Sequence, residues 1–206
     1  GAGDEDPSNY TKTLLDKVPK EHKEKIRKKL NDMIIMDLIM NNNDRHSGNL
    51  LISNDLSDVH AIDHGNAFGN GMSGVKNSVF RDMHAANMKV TVDEDMMKRL
   101  KGTSLGHLKL AVGGHVEDWA VAQTFLRTRY VAHLQETEGE LDFERFRTVM
   151  TNLDNTAYQP DDTMWANLPN EEFRHRQRNG QLPEQLFESW AQDYLDQVTS
   201  NPDHPD

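Results

Sequence analysis

The most informative alternation of apolar and polar positions lies between residues 33 and 69. An apolar run over residues 33–40 ends at three asparagines. Two short apolar runs follow, over 50–52 and 59–62, with a polar turn between them. The first run predicts the end of a buried helix, because it is apolar nearly all round. The other two predict the strands of a β-hairpin, whose base would bring residues 49 and 63 close together.

Apolar positions at helical spacing dominate the rest of the chain. They predict six helices, over residues 19–40, 92–101, 105–112, 116–135, 142–153 and 183–198. Thr91 is a candidate N-cap, with Glu94 three residues later. We expect a flexible segment over 1–18, with Leu14 and Leu15 as docking points, and a disordered tail over 201–206. The predicted fold class is mainly α with a small β-hairpin.

Composition narrows the classes of function. The net charge of −11 argues against general nucleic-acid binding, which needs a basic surface. Because the chain has no cysteine, it has neither disulfides nor thiolate metal sites. No apolar run approaches the length of about 18 residues that a membrane span needs, and no signal peptide is visible. We therefore expect a cytoplasmic protein, or one delivered into a host cytoplasm.

Three patterns allow more than one interpretation. The lysines and arginines of residues 20–29 form either a phosphate- or lipid-facing surface or, as is commoner, a solvated helix face. Residues 69–74 fit G-x-G-x-x-G, but a phosphate-binding loop of this form lies between strands or leads from a strand into a helix. These residues come after the predicted hairpin and Asp63, so we interpret them as a loop. His60 and His64 are four residues apart, on a predicted strand and the turn after it, which disfavours a zinc site.

Three oxygen-bearing side chains can converge at the base of the hairpin: Asp44, Asn49 and Asp63. Kinases use one aspartate to orient the attacking hydroxyl, and an asparagine and a further aspartate to hold Mg²⁺. Mg²⁺ prefers oxygen ligands and usually takes only one or two carboxylates from protein. Each element also has an ordinary interpretation, since residues 41–44 can be a helix end and residues 63–65 a strand exit. Their order and spacing together favour the kinase-type site.

The motifs D-R-H-x-x-N, at residues 44–49, and I-D-x-G, at residues 62–65, together resemble the catalytic core of the phosphatidylinositol 3/4-kinase-like superfamily. The I-D-H-G form, followed by Phe68, is similar to bacterial members of that group. His64 departs from the pattern, because an aromatic residue is more usual at its position.

The resemblance implies roles for five residues of these motifs. Asp44 would be the catalytic aspartate, and Arg45 and His46 would be catalytic side chains beside it, with His46 as a proton acceptor or a phosphate contact. Asn49 and Asp63 would bind the metal and, through it, the nucleotide. The cofactors implied are Mg²⁺, or Mn²⁺, and ATP.

The resemblance also implies a protein-kinase-like C-lobe over residues 19–200. Its parts would be the catalytic loop, the metal-binding hairpin, an activation-like loop and a helical remainder, over residues 41–49, 50–65, 66–90 and 91–200. Lys76, Arg81 and Lys89 would be candidate substrate-phosphate contacts on the activation-like loop.

An N-lobe is not apparent in this sequence. About forty residues precede Asp44, and they predict coil and helix, with no V-A-I-K-like strand to supply a lysine for the nucleotide phosphates. We therefore expect an N-lobe in a longer protein or a partner chain, or a minimal enzyme that holds ATP in another way. The expected function is Mg²⁺- and ATP-dependent phosphoryl transfer to a lipid or protein hydroxyl. The alternative is a non-catalytic, kinase-derived interaction module.

Overall fold

A computed structural model describes most of the first 146 residues, namely 10–42, 44–68, 78–85, 87–112, 114–116, 118–142 and 144–146. Its helices are α1 Tyr10–Lys17, α2 Lys20–Met40, α3 Ser78–Ala85, α4 Glu94–Gly102, α5 Leu105–Val112 and α6 Asp118–Glu138. Two strands, β1 Leu50–Ile52 and β2 Val59–Ala61, pair as an antiparallel sheet. The predicted fold class, mainly α with a small β-hairpin, is confirmed. The helix predicted over 183–198 and the tail lie outside the described residues.

Helix α2 is the element on which the site is built. It follows Pro19, which lacks the N–H that a first helical turn would leave unpaired. Its apolar positions are spaced three and four residues apart and form a buried stripe: Ile26, Leu30, Ile34, Ile35 and Leu38. The helix ends at Asn41, which adopts the left-handed conformation with φ of 53°. Asparagine tolerates that conformation better than most residues, so it turns the chain sharply towards residue 44.

The hairpin packs one face on α2 and leaves the other face open. Leu50 pairs with Ala61 and Ile52 pairs with Val59, and both Leu50 and Val59 are buried in the core shared with α2. Because side chains alternate along a strand, Leu51 faces the other way and is 54% exposed. A further hydrogen bond, from the Ile62 N–H to the Asn49 carbonyl at 3.0 Å, continues the pairing beyond the strands. Residues 49 and 62 therefore lie side by side at the base of the hairpin.

The long helix α6 also packs against α2. It contributes buried side chains at Phe125, Tyr130, Val131 and Leu134, and Tyr130 packs on Phe146 with ring centroids 5.5 Å apart. The prediction placed this helix over residues 116–135, and the structure shifts it by two to three residues towards the C-terminus. Core packing of this kind fixes α2, and with it the turn that leads into the site.

Two segments predicted as irregular are helical in the structure. Residues 10–17 form α1, and Leu14, Leu15 and Val18 are buried, so the expectation of a flexible segment is wrong there. Residues 78–85, placed in the activation-like loop, form α3, which buries Val79, Phe80 and Met83. In both cases apolar side chains spaced at one helical turn gain burial when the two short helices pack on each other.

The start of α4 also differs from the prediction. Its N-cap is Asp93, whose Oδ1 accepts from the Met96 N–H at 2.8 Å, and not Thr91. This hydrogen bond, together with Lys28, holds the pKa of Asp93 below its usual value. Thr91 is instead held by Asn31, whose amide exchanges two hydrogen bonds with the Thr91 backbone at 2.8 and 2.9 Å.

The cationic face of α2 is paired with acidic side chains of the same chain. Lys28 Nζ lies 2.8 Å from Asp32 and 2.9 Å from Asp93, and Lys29 donates to Asp58. This pairing favours the interpretation as a solvated helix face over a phosphate- or lipid-facing surface, because the nearest anions are already supplied. Across the described ranges, no helix is long and apolar enough to cross a membrane.

Candidate active site

A buried ion pair lies beneath the candidate site. The side chains of Arg45 and Asp37 are 0% and 1% exposed, and they meet in a two-point contact. Arg45 Nε donates to Asp37 Oδ2 at 2.7 Å, and Nη2 donates to Asp37 Oδ1 at 3.0 Å. Asn42 adds a third hydrogen bond to Asp37, at 3.1 Å. Buried charges are tolerated only when they are paired and hydrogen-bonded in this way, so the pair fixes the end of α2 against the loop that follows.

Arg45 also ties the two halves of the site together. Its Nη1 donates to the carbonyl oxygens of Asn49, at 3.0 Å, and Ile62, at 2.7 Å. Its Nη2 lies 3.2 Å from His64 Nδ1. A guanidinium can only donate, so His64 Nδ1 must be unprotonated and accept. Arg45 therefore joins the loop at residue 49 to the segment that leaves β2 at residue 62.

The contacts of Arg45 differ from those expected of a catalytic side chain, the role that the resemblance implies for it. A guanidinium has five N–H donors, and each one of Arg45 has a partner inside the protein. None is left to contact a phosphate or an acceptor. Arg45 is thus placed to position the site and does not face it.

Asn49 is held in one orientation. It ends a short 3₁₀ turn, Ser47–Asn49, and it is buried. Its Nδ2 donates to the Asp44 carbonyl at 2.8 Å, which identifies the other side-chain atom, Oδ1, as the one able to bind a cation. The loop thus presents an amide oxygen of fixed direction.

Asp63 leaves the hairpin in an unusual backbone conformation. Its φ is +55°, in the left-handed region that non-glycine residues seldom occupy. Aspartate is among the residues that tolerate this region, and such conformations cluster at functional sites. The side chain is exposed, and its Oδ1 accepts from the Gly65 N–H at 3.4 Å. Asp63 therefore offers a carboxylate to solvent directly beyond the residue that Arg45 anchors.

Asp44 and His46 form the open side of the site. Their side chains are about half exposed, and His46 Nε2 lies 3.9 Å from Asp44 Oδ1. The Gly48 N–H donates to His46 Nδ1 at 3.0 Å, so in the neutral ring the proton sits on Nε2. This geometry suits His46 to donate to an anionic oxygen. Of the two roles expected for His46, proton acceptor and phosphate contact, it favours the second. A Cβ at position 48 would lie 2.9 Å from His46 Cε1, so a larger residue there would displace the His46 ring from this position.

Two residues of the site have no place in the motifs from which it was predicted. Asp37 had one signal, a carboxylate inside the otherwise apolar stretch before the asparagines. Asn66 had none, but its Nδ2 donates to Asp44 Oδ2 at 3.2 Å. The turn that carries Asn66 is tied to the end of α2 by a hydrogen bond from the Phe68 N–H to the Met40 carbonyl, at 2.7 Å.

The donor set suits a cation that brings ligands of its own. Among the residues that the structure describes, no group of three or more His, Cys, Asp or Glu side chains is arranged to hold a metal. Asn49 and Asp63 offer one amide oxygen and one carboxylate. Mg²⁺ usually takes few protein ligands and completes its shell with water and substrate phosphates, so this pair fits Mg²⁺ carried by a nucleotide.

Two of the three residues expected to contact a substrate phosphate, Arg81 and Lys89, lie near acidic side chains of the same chain. Arg81 lies 3.6 Å from Asp82, and Lys89 lies 3.2 Å from Glu140. Lys76 lies outside the described residues. These pairings give no support to a phosphate-binding role for Arg81 or Lys89.

Comparison with known proteins gives one result. Residues 8–109 match the family model described as phosphatidylinositol 3- and 4-kinase. The matched segment includes both D-R-H-x-x-N and I-D-x-G, together with Asp37 and Asn66. Neither the curated proteins nor the solved structures give a match to the chain.

Proposed function

Since residues 8–109 match the phosphatidylinositol 3- and 4-kinase family, we propose that the chain carries the catalytic centre of a Mg²⁺- and ATP-dependent phosphotransferase. The acceptor is a hydroxyl group of a lipid or a protein. An N-lobe, from a longer chain or a partner, would complete the nucleotide site.

One observation carries this proposal. Arg45 binds the carbonyl of Asn49 and the carbonyl of Ile62 with a single guanidinium group. The two proposed metal ligands, Asn49 and Asp63, are thereby mounted on one buried support. A support of this kind is what a metal site needs, because small displacements of the ligands weaken binding and transfer.

The proposed transfer uses the open side of the site. Mg²⁺ would be held by Asn49 Oδ1 and Asp63, and it would neutralise charge on the nucleotide phosphates. Asp44 would orient the acceptor hydroxyl and take its proton as the oxygen bonds to the γ-phosphorus. The bond from that phosphorus to the oxygen shared with the β-phosphate breaks, and ADP leaves. His46 Nε2 would donate a hydrogen bond to the transferred group.

Replacing Asp44 tests the transfer step. Asp44→Asn keeps the shape of the side chain but removes its charge and its capacity to take a proton. We expect turnover to fall at least about a hundredfold, with little change in the affinity for Mg²⁺–nucleotide. ADP formation and labelled product should be measured with lipid and protein acceptors, in the chain joined to its N-lobe where the gene encodes one.

Asp95→Asn is the matched control, because Asp95 is exposed on the first turn of α4. It should transfer phosphate at the wild-type rate. Equal turnover in wild type and Asp44→Asn would contradict the proposal. Absence of product from wild type across the acceptor panel would favour a non-catalytic interaction module instead.

A further inference from the structure

We propose that Asn66 is a positioning residue for the phosphoryl acceptor: its side-chain amide holds the Asp44 carboxylate in the orientation that receives the acceptor hydroxyl. This inference rests on the proposed function, because it assigns to Asn66 a part in the same transfer step. Asn66 lies outside both motifs that predict the site, and its contact with Asp44 spans 22 positions of the chain.

The two oxygens of Asp44 have different neighbours. Oδ2 accepts from Asn66 Nδ2 at 3.2 Å, whereas Oδ1 lies 3.9 Å from His46 Nε2. A donor on one oxygen restricts rotation of the carboxylate, so the other oxygen keeps a constant direction beside His46. A half-exposed aspartate without such a donor would sample several orientations, and misorientation of a reacting group lowers the rate of transfer.

The turn that carries Asn66 is itself anchored on both sides. The Ala67 N–H donates to the His64 carbonyl at 2.9 Å, and the Phe68 N–H donates to the Met40 carbonyl at 2.7 Å. His64 in turn contacts the buried Arg45. The amide of Asn66 is therefore presented from a fixed base, although the side chain itself is exposed.

The same short segment carries Asp63, three residues before Asn66. A change in the position of this segment would move a proposed metal ligand and the donor to Asp44 together. Asn66 thus links the side of the site that binds Mg²⁺–nucleotide to the side that binds the acceptor. Because an amide neither takes nor supplies a proton at neutral pH, its role is to position Asp44 and not to act as a base.

Substitutions of Asn66 separate this role from a structural one. We expect Asn66→Ala to lower kcat about tenfold, since Asp44 loses its fixed orientation while the binding groups remain. Asn66→Asp should lower kcat further, because a second carboxylate would repel Asp44. Asn66→Gln keeps an amide donor and should recover part of the rate. KM for ATP and the Kd for Mg²⁺–nucleotide should stay within about twofold of wild type in all three.

Asn54 provides the matched control, because it is an exposed asparagine in the turn at the other end of the hairpin. Asn54→Ala should leave kcat unchanged. A second readout needs no turnover: the side-chain NH₂ signals of Asn66 in ¹H–¹⁵N spectra should shift when Asp44→Asn is introduced, while those of Asn54 should not.

The outcomes distinguish the two proposals. Transfer by wild type with an equal kcat in Asn66→Ala would overturn the role of Asn66 and leave the proposed function standing. Asn66 signals that do not respond to Asp44→Asn would also overturn it. If wild type neither binds Mg²⁺–nucleotide nor transfers phosphate, the proposed function fails and the positioning role fails with it.

Discussion

Charged side chains hold the hairpin to helix α2 at its tip and at its base, and these two attachments differ in burial. At the tip, Asp58 accepts from Lys29 and lies 3.5 Å from Lys25, and all three side chains contact solvent. At the base, Arg45 and Asp37 are fully enclosed and are surrounded by further hydrogen bonds.

This difference decides what each attachment does. Water competes for the charges of an exposed pair, so the tip contributes little free energy and serves to align the hairpin. A buried pair cannot lose one member cheaply, because the other member is left charged and unsolvated. The base therefore fixes the relative position of residues 49 and 62, which the proposed site requires.

The largest expected effect comes from breaking the base. Asp37→Ala would leave Arg45 buried without its carboxylate, and we expect the free energy of unfolding to fall by about 3–5 kcal/mol. Urea denaturation followed by circular dichroism measures this loss. Asp32→Ala is the control on the same helix, because Asp32 is partly exposed and pairs with Lys28. It should cost at most about 1 kcal/mol. Similar losses in both variants would show that burial does not distinguish Asp37 from Asp32.

A smaller effect is expected at the tip, and it depends on pH. The hydrogen bond from Lys29 lowers the pKa of Asp58 from 3.8 to about 2. Because the folded pKa lies below the unfolded one, the ionised carboxylate stabilises the fold above about pH 4. That stabilisation is lost as the pH falls towards 2. Asp58→Asn should therefore show a shallower loss of stability between pH 4 and pH 2 than wild type. Parallel curves for the two proteins in acid unfolding experiments would contradict this account of the tip.

The strands of the hairpin and the two short helices differ in how far the sequence predicts them. The strands could be predicted because two short apolar runs flank a polar turn, and the observed bounds of Leu50–Ile52 agree with the prediction. The helical state of residues 10–17 and 78–85 could not be predicted, because each segment has few apolar residues and folds by packing on the other. The local pattern of apolar and polar residues does not show which other segment of the chain a short helix will pack on.

The candidate site shows the same limit. The motifs identify Asp44, Asn49 and Asp63 as candidates, and the roles of these residues as catalytic and metal-binding groups stay predictions. The contacts of Asp37 and Asn66 could not be predicted, because they join residues 8 and 22 positions apart through the folded turn after α2. The D-R-H-x-x-N motif identifies Arg45 as a residue of the site. Only the burial of its side chain indicates that Arg45 supports the site from beneath.

The binding of Mg²⁺–nucleotide by wild type and by Asp63→Asn tests the central claim most directly. Asparagine tolerates the left-handed backbone of position 63, so the substitution removes the charge and leaves the fold, with Tm values of the two free proteins nearly equal. A non-hydrolysable ATP analogue with Mg²⁺ should raise the Tm of wild type more than either compound alone. The stabilisation should reach about 2.7 kcal/mol when free ligand is a hundred times Kd. Asp63→Asn should lose the Mg²⁺-dependent part of this shift, whereas an equal shift in both proteins, or none in wild type, would contradict a metal–nucleotide site at Asn49 and Asp63.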